Sequence, residues 1–308
     1  LPLRHPKELT REEMGGLIAQ VRELGNPLFV ITGGDPLKRA DIFDIVSDAA
    51  RAGLRVAMTP SGTPLLTEEA IRRLKGAGLA RLAVSLDGSC REVHDAFRQV
   101  EGSFDATVAG IRAARGIGLP VQINTTVAVR NVEDLGRIAD RIAEFDIALW
   151  SVFFLVPTGR GERDDVLSAA GHEAVFHRLY DLSKRMPYDI KTTEGQHYRR
   201  VVLQQTKNPA ALRSRAPLGI NDGKGFVFIS HLGDIQPSGF LPITAGNVRK
   251  DELIDVYRNA PLFRNLRDTS LLQGKCGCCE FKNICGGSRA RAFAMTGDPF
   301  GEEPLCAY

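Results

Sequence analysis

Five of the six cysteines of this 308-residue chain fall between Cys276 and Cys306. The run is Cys276-Gly277-Cys278-Cys279-Glu280-Phe281-Lys282-Asn283-Ile284-Cys285, followed after an interval by Cys306. Thiols crowded at one end of a chain that has few elsewhere act locally: they bind a metal or cluster, or they pair as disulfides. Cys276, Cys279, Cys285 and Cys306 give Cys-x2-Cys-x5-Cys-x20-Cys. Four thiolates suit a cubane iron–sulfur cluster, and equally a closed tetrahedral zinc site. Cys278 is left over, and solitary Cys90 reads as a small buried hydrophobe.

The elements that must hold a reacting partner for such a centre alternate through the first half of the chain. Thr10-Arg11-Glu12-Glu13 is a capping box, and Met14, Leu17, Ile18 and Val21 form a helical stripe up to Gly25. Leu28-Phe29-Val30-Ile31-Thr32 is a continuous apolar run stopped by Gly33-Gly34, the pattern of a strand buried on both faces. Helices are expected over residues 40–52, 67–75, 104–115 and 131–145, and strands over 55–59, 81–86, 120–128 and 148–156. Strands that alternate with crossover helices specify a parallel α/β sheet or barrel. Ligands in such folds meet the loops after the strands' carboxyl ends. Here those are Thr32-Gly33-Gly34-Asp35-Pro36, Thr59-Pro60-Ser61-Gly62, Ser85-Leu86-Asp87-Gly88, residues 124–127, and Val156-Pro157-Thr158-Gly159-Arg160-Gly161. Singly, each glycine is a turn residue. Placed on successive strand ends, they point to a shared small-molecule site whose backbone a ligand can approach closely.

A helix over residues 169–185 carries Phe176, Leu179, Tyr180 and Leu182. Glu194-Gly195-Gln196-His197-Tyr198-Arg199-Arg200 reads as a solvated helix face, with an acidic-substrate site as the alternative. Arg160 and Arg163 follow a strand end and are candidates for substrate carboxylates. From Gly223 the pattern becomes antiparallel, with a hairpin of residues 225–229 and 234–237, then Gly246-Asn247-Val248-Arg249 and a helix over 252–258. Hydrophobic residues at 43%, charged residues at 25% and a net charge of +3 fit a soluble globular chain. No apolar run reaches a membrane span, and the dispersed charges give no reason to infer a nucleic-acid partner. The N-terminus lacks the apolar core of a signal peptide, so a reducing cytoplasm is expected, which ranks metal binding above disulfides.

At the strand-end loops the chain resembles the radical S-adenosylmethionine (SAM) enzymes. Gly33-Gly34-Asp35-Pro36 is similar to their Gly-Gly-Glu-Pro motif, with Asp35 in place of the usual Glu, and Ser85-Leu86-Asp87-Gly88 followed by His94, Asp95 and Arg98 is similar to their Ser-Leu-Asp-Gly stretch. The resemblance implies that SAM is bound by Gly33, Gly34, Asp35, Ser85, Arg98, Asn124, Val156 and Pro157. No cysteine precedes Cys90, whereas the family binds its SAM-cleaving cluster with Cys-x3-Cys-x2-Cys after the first barrel strand. That strand and cluster loop are therefore expected upstream of Leu1, with a degenerate member lacking radical chemistry as the alternative.

The hairpin, Gly-Asn-Val and cysteine order resembles SPASM and twitch auxiliary-cluster domains. Cys285-Gly286-Gly287-Ser288-Arg289-Ala290-Arg291, with Glu303-Pro304-Leu305-Cys306, is similar to radical SAM enzymes of haem d1 and siroheme-dependent haem biosynthesis. The resemblance implies a partial (β/α)6 TIM-like barrel over 1–187 and a small α+β SPASM/twitch-like domain over 188–308. It implies one auxiliary [4Fe-4S] cluster on Cys276, Cys279, Cys285 and Cys306, because Ser230 and Ser238 stand where further ligands would be. A second [4Fe-4S] cluster would sit on upstream residues. The implied activity is that of a radical SAM oxidoreductase or lyase that forms a 5′-deoxyadenosyl radical, drawing electrons from a donor such as flavodoxin or ferredoxin. Its substrate would be tetrapyrrole-like or a peptide, met by Arg160, His197, Arg289 and Arg291, with the two arginines also able to offset thiolate charge. A zinc-stabilised binding protein and an electron-transfer partner remain the non-enzymatic alternatives.

Overall fold

The computed structural model describes residues 5–159, 163–206 and 219–308, and these group into two compact units. The first unit comprises Leu1–Val152, Met186–Lys191 and His231–Gly233; the second comprises Phe153–Arg185, Thr192–Ser230 and Asp234–Tyr308.

In the first unit, α1 (Arg11–Glu23) starts at the expected capping box: Glu13 N–H donates to Thr10 Oγ1 at 3.2 Å, and Thr10 N–H donates to Glu13 Oε2 at 2.7 Å. The alternation continues through β1 (Leu28–Ile31), α2 (Ile42–Arg51), β2 (Arg55–Met58), α3 (Glu68–Gly76) and β3 (Arg81–Ser85). Then come α4 (Arg91–Arg98), α5 (Ser103–Gly116), β4 (Val121–Val127), α6 (Leu135–Ala143) and β5 (Leu149–Phe154). Past α7 (Ala169–Arg185), which belongs to the second unit, lies β6 (Asp189–Thr193), a strand not expected from the sequence because Asp189 and Lys191 interrupt any apolar run. The sheet order is β1-β2-β3-β4-β5-β6 with no reversal, the order of a partial parallel barrel.

Register decides which side chains share a face. Leu28 pairs with Arg55, Val30 with Ala57, Ala57 with Arg81, Ala83 with Gln122, and Ser85 with Asn124. The opposite face carries Val56, Met58, Leu82, Val84, Val121 and Ile123, all fully buried. β1 is not buried on both faces: Leu28 is 48% and Val30 44% exposed, because β1 stands at the edge of the described sheet.

In the second unit, α8 (His197–Gln205) follows β6, and β7 (Phe228–Ile229), β8 (Asp234–Gln236) and β9 (Gly246–Asn247) make a small antiparallel sheet. Short helices α9 (Leu253–Asn259), α10 (Pro261–Arg267) and α11 (Gly274–Cys278) lead to α12 (Arg289–Thr296). Val156, Leu241, Leu266 and Ala290 form its apolar cluster.

Candidate functional site

At the end of β1 the chain turns through Gly33 at φ +140°, a conformation open to glycine but not to ordinary side chains. A Cβ at Gly33 or Gly34 would meet no atom within 4 Å, so backbone conformation and not crowding keeps Gly33. Asp35 is buried and ties this turn to the next: it accepts from Leu37 N–H (3.2 Å), Ser61 N–H (3.4 Å) and Thr63 Oγ1 (2.8 Å). Ser61 Oγ donates to Gly34 O at 2.8 Å. The glycine turn is thus held rigid from behind while its front stays open, a cradle a polar ligand group can enter.

Ser85, at the end of β3, stands beside Asn124 in the middle of β4, and Gln122 Nε2 donates to Asn124 Oδ1 at 2.8 Å. Asp87, fully buried, pairs with Arg98 Nε at 2.5 Å and accepts from Thr126 N–H at 2.7 Å. Its own N–H donates to His94 Nδ1 at 3.0 Å, and burial lowers the His94 pKa, so that ring nitrogen stays an acceptor. Arg98 is therefore anchored to the loop that presents Ser85. Val156, in the second unit, packs in the apolar cluster, and its carbonyl accepts from Thr158 N–H at 2.7 Å; Pro157 next to it is half-buried. Arg160 lies outside the described residues.

The cysteine stretch occupies the second unit. Cys276 is buried, Cys279, Cys285 and Cys306 are partly buried, and Cys278 is exposed. Backbone N–H groups aim at three of these sulfurs: Glu303 N at Cys276 Sγ (3.4 Å), Phe281 N at Cys279 Sγ (3.4 Å) and Gly287 N at Cys285 Sγ (3.5 Å). Arg289 Nη2 lies 3.6 Å from Cys276 Sγ. Burial pushes the Cys285 thiol up to about 12, with Cys306 and Cys276 adding to the rise, and burial raises Cys306 too. Among the described residues no group of three or more Cys, His, Asp or Glu is close enough to hold a single metal ion as placed. What fits a cluster is the donor set: amide and guanidinium N–H groups directed at sulfur are the contacts that stabilise and tune bound thiolates.

Behind the cysteines is a polar core that the sequence reading missed. Arg291 and Glu303 are both fully buried; Arg291 Nε donates to Glu303 Oε1 at 2.9 Å and Nη2 to Oε2 at 3.2 Å. Arg291 Nη2 also donates to Glu194 O at 2.9 Å. Despite its burial, Glu303 is held down to about 2, chiefly by Arg291. Ser288 Oγ donates to Glu194 Oε2 at 2.5 Å, and Ser288 N–H donates to Glu303 Oε2 at 2.9 Å. Burial and nearby Asp222 push Glu194 up to about 8, so it stays protonated at neutral pH. Arg289 donates to Pro299 O (3.0 Å) and Gly301 O (2.6 Å). Both arginines singled out as substrate ligands thus have protein acceptors here.

The segment expected as a solvated face is instead buried: Glu194, Gln196, His197, Tyr198 and Arg200 are all inside. His197 stacks on Phe176 with centroids 5.4 Å apart, and both its ring nitrogens lack partners among the described residues. Burial lowers its pKa to about 3 and that of His172 to about 4. The overlooked signal was Gly195, where a Cβ would lie 2.5 Å from Phe154 Cδ2. Ser230 and Ser238 serve turns: Ser230 Oγ accepts from Asp234 N–H at 3.0 Å, and Ser238 Oγ accepts from Leu241 N–H at 3.2 Å.

A glycine turn and a Ser-Leu-Asp-Gly strand end on a partial parallel barrel, and in the second unit an N–H-lined cysteine stretch, are the features of an enzyme that joins SAM to iron–sulfur chemistry. The chain belongs to the radical SAM superfamily: residues 2–142 match that family. It is 42% identical to the AdoMet-dependent heme synthase of Methanosarcina barkeri, over 98% of this chain and 88% of that protein. It is 39% identical to the AdoMet-dependent heme synthase of Nitratidesulfovibrio vulgaris, over 99% and 85%. In fold it matches Streptococcus suis SuiB bound to S-adenosylmethionine, with a TM-score of 0.75 at 17% identity, covering 100% of this chain and 71% of that one. No helix among the described residues is long and apolar enough to cross a membrane.

Proposed function

We propose that this chain forms the SAM-binding and auxiliary-cluster parts of an enzyme that modifies tetrapyrrole side chains in haem-type cofactor biosynthesis. The observation that carries the reading is its 42% identity to a heme synthase along nearly its whole length. Residues 1–187 would be the SAM barrel and 188–308 the SPASM/twitch-like part. Gly33, Gly34 and Asp35 would take the methionine end of SAM, Ser85 and Asn124 its ribose side, and Val156 and Pro157 the adenine, with Arg98 holding the Asp87 loop. Cys276, Cys279, Cys285 and Cys306 would hold one [4Fe-4S] cluster, and residues upstream of Leu1 a second. Arg289 would stabilise the Cys276 thiolate, and Arg291 would keep Glu303 and its N–H aligned on the same sulfur. The chemistry supplied by SAM and a reduced cluster is hydrogen abstraction by a 5′-deoxyadenosyl radical; the chain itself orients substrate and excludes water. The setting would be the cytoplasm, with flavodoxin or ferredoxin as donor.

The test uses full-length protein, reconstituted anaerobically with iron and sulfide and reduced by flavodoxin, with SAM and an iron porphyrin carrying propionate side chains. Formation of 5′-deoxyadenosine together with release of carbon dioxide from the porphyrin is expected. Porphyrin left unchanged while a precursor peptide triggers 5′-deoxyadenosine formation would transfer the chain to the peptide-modifying enzymes.

A further inference from the structure

The amide of Asn124 can face a ligand either way round, offering N–H groups or a C=O, and its two ends hardly differ in shape. Its neighbours settle which end is offered. On one face of the sheet β3 carries Arg81, Ala83 and Ser85, while β4 carries Gln122 opposite Ala83 and Asn124 opposite Ser85. Ala83 ends at its Cβ and leaves Gln122 room to lie between Arg81 and Asn124. Arg81 Nη1 donates to Gln122 Oε1 at 3.5 Å, and Gln122 Nε2 donates to Asn124 Oδ1 at 2.8 Å.

A guanidinium has donors only, so it imposes a direction on this chain of hydrogen bonds. Gln122 turns Oε1 to Arg81, which turns its Nε2 to Asn124. Asn124 then accepts through Oδ1, and its Nδ2 is left over. Reversed, Gln122 would set Nε2 against the guanidinium, donor against donor, where Arg81 already lacks an acceptor at its buried Nε. Asn124 is buried and Gln122 half-buried, surroundings in which a mismatched hydrogen bond costs more than in water. Among the described residues Asn124 Nδ2 has no acceptor and Ser85 Oγ beside it has no partner, and neither atom is sealed from solvent. The two offer an open donor next to a hydroxyl that both donates and accepts.

We propose that Gln122, directed by Arg81, is a positioning residue that fixes the amide of Asn124 with its N–H groups towards SAM. The proposal rests on the assignment of Ser85 and Asn124 to the ribose side of SAM given above. Vicinal hydroxyls suit that arrangement: one oxygen accepts from Asn124 Nδ2, and the neighbouring O–H donates to Ser85 Oγ. Arg81 and Gln122 act through Asn124.

The experiment measures SAM binding to the anaerobically reconstituted full-length protein by equilibrium dialysis, with thermal melting recorded for each variant. The variants are Gln122→Met, Asn124→Ala, the two together, Arg81→Met and Arg81→Lys. Gln122→Met is expected to bind SAM about fivefold more weakly than the parent, the worth of one ordinary hydrogen bond. In the Asn124→Ala background the same change is expected to have no effect, because the group it orients is gone. Arg81→Met is expected to weaken SAM binding, and Arg81→Lys, whose ammonium also only donates, to restore it. Parent-like affinity of Gln122→Met, or losses that add in the double variant, overturns the positioning role and leaves SAM at Asn124. Equal affinity of Arg81→Met and Arg81→Lys overturns it as well, and that comparison holds even if Gln122→Met does not fold. Parent-like affinity of Asn124→Ala overturns the placement of SAM at Asn124, and the positioning role with it.

Discussion

Single residues separate ligand from bystander in the cysteine stretch. Cys278 is exposed and directs its Sγ at Gly274 O and Lys275 O of its own short helix, whereas Cys279 Sγ accepts from Phe281 N–H. Cys278→Ser is accordingly expected to retain the auxiliary cluster's iron and sulfide and Cys279→Ser to lose them; equal loss in iron analysis of both variants would refute the ligand assignment. The Arg291–Glu303 pair supplies a second test. Removing one partner leaves a buried charge uncompensated, at a cost of about 3–5 kcal/mol. Arg291→Met should show this loss in denaturant unfolding, and adding Glu303→Gln to it should recover part of the deficit. Full stability of Arg291→Met alone would mean that the carboxylate finds another donor.

At the scale of elements, α12 depends on the turn that launches it. Gly287 has φ +64°, and a Cβ there would lie 2.6 Å from Arg289 Nη2, 2.8 Å from Glu303 Cβ and 3.3 Å from Cys276 Sγ. Gly287→Ala is expected to cost about 1–3 kcal/mol by overpacking and to lower the iron content of reconstituted protein. Gly297→Ala, at the other end of α12, meets nothing within 4 Å at φ +83°, so it should keep the iron and lose only about 1 kcal/mol. Iron loss in both variants would point to helix stability as the cause, not the sulfur contact. The elements that were legible in the sequence are those whose periodicity comes from burial against one layer: α1 with its capping box, and β2 to β5 with their apolar runs. β6 and α8 were not. Asp189 and Lys191 are exposed, and Glu194, His197 and Arg200 are buried by partners distant in sequence, Ser288, Phe176 and Glu173, so their polar types hid both a strand and a buried helix face. Within the candidate site the cysteine ligands and glycine turns could be read from spacing, whereas the Arg291–Glu303–Glu194–Ser288 network could not, because only tertiary structure joins residues 194 and 288.

Across the whole molecule, these buried titratable groups set how stability varies with pH. His172 and His197 titrate in the folded state at about 4 and about 3, against an ordinary 6.5. The unfolded chain binds more protons than the folded one in that interval, so the stability present above pH 6.5 is lost as pH falls below it. Glu303, at about 2 against 4.5, has the same sign and loses its contribution as pH falls below 4.5. Glu194 has the opposite sign: at about 8 against 4.5 it binds a proton in the folded state that the unfolded chain has released, so its contribution is lost as pH rises from 4.5 to 8. Asp222 beside it is raised by the same burial. The unfolded-state protonation of His172 and His197 fades only about a unit above 6.5, so from about pH 7.5 to 8 the buried carboxyls outweigh these two histidines and the melting temperature should fall across that range. Glu194→Gln keeps the Ser288 contact without an ionisable proton, and its melting temperature is expected to be flatter there than the parent's. A decline as steep as the parent's from about pH 7.5 to 8 would place the protonated carboxyl somewhere other than Glu194.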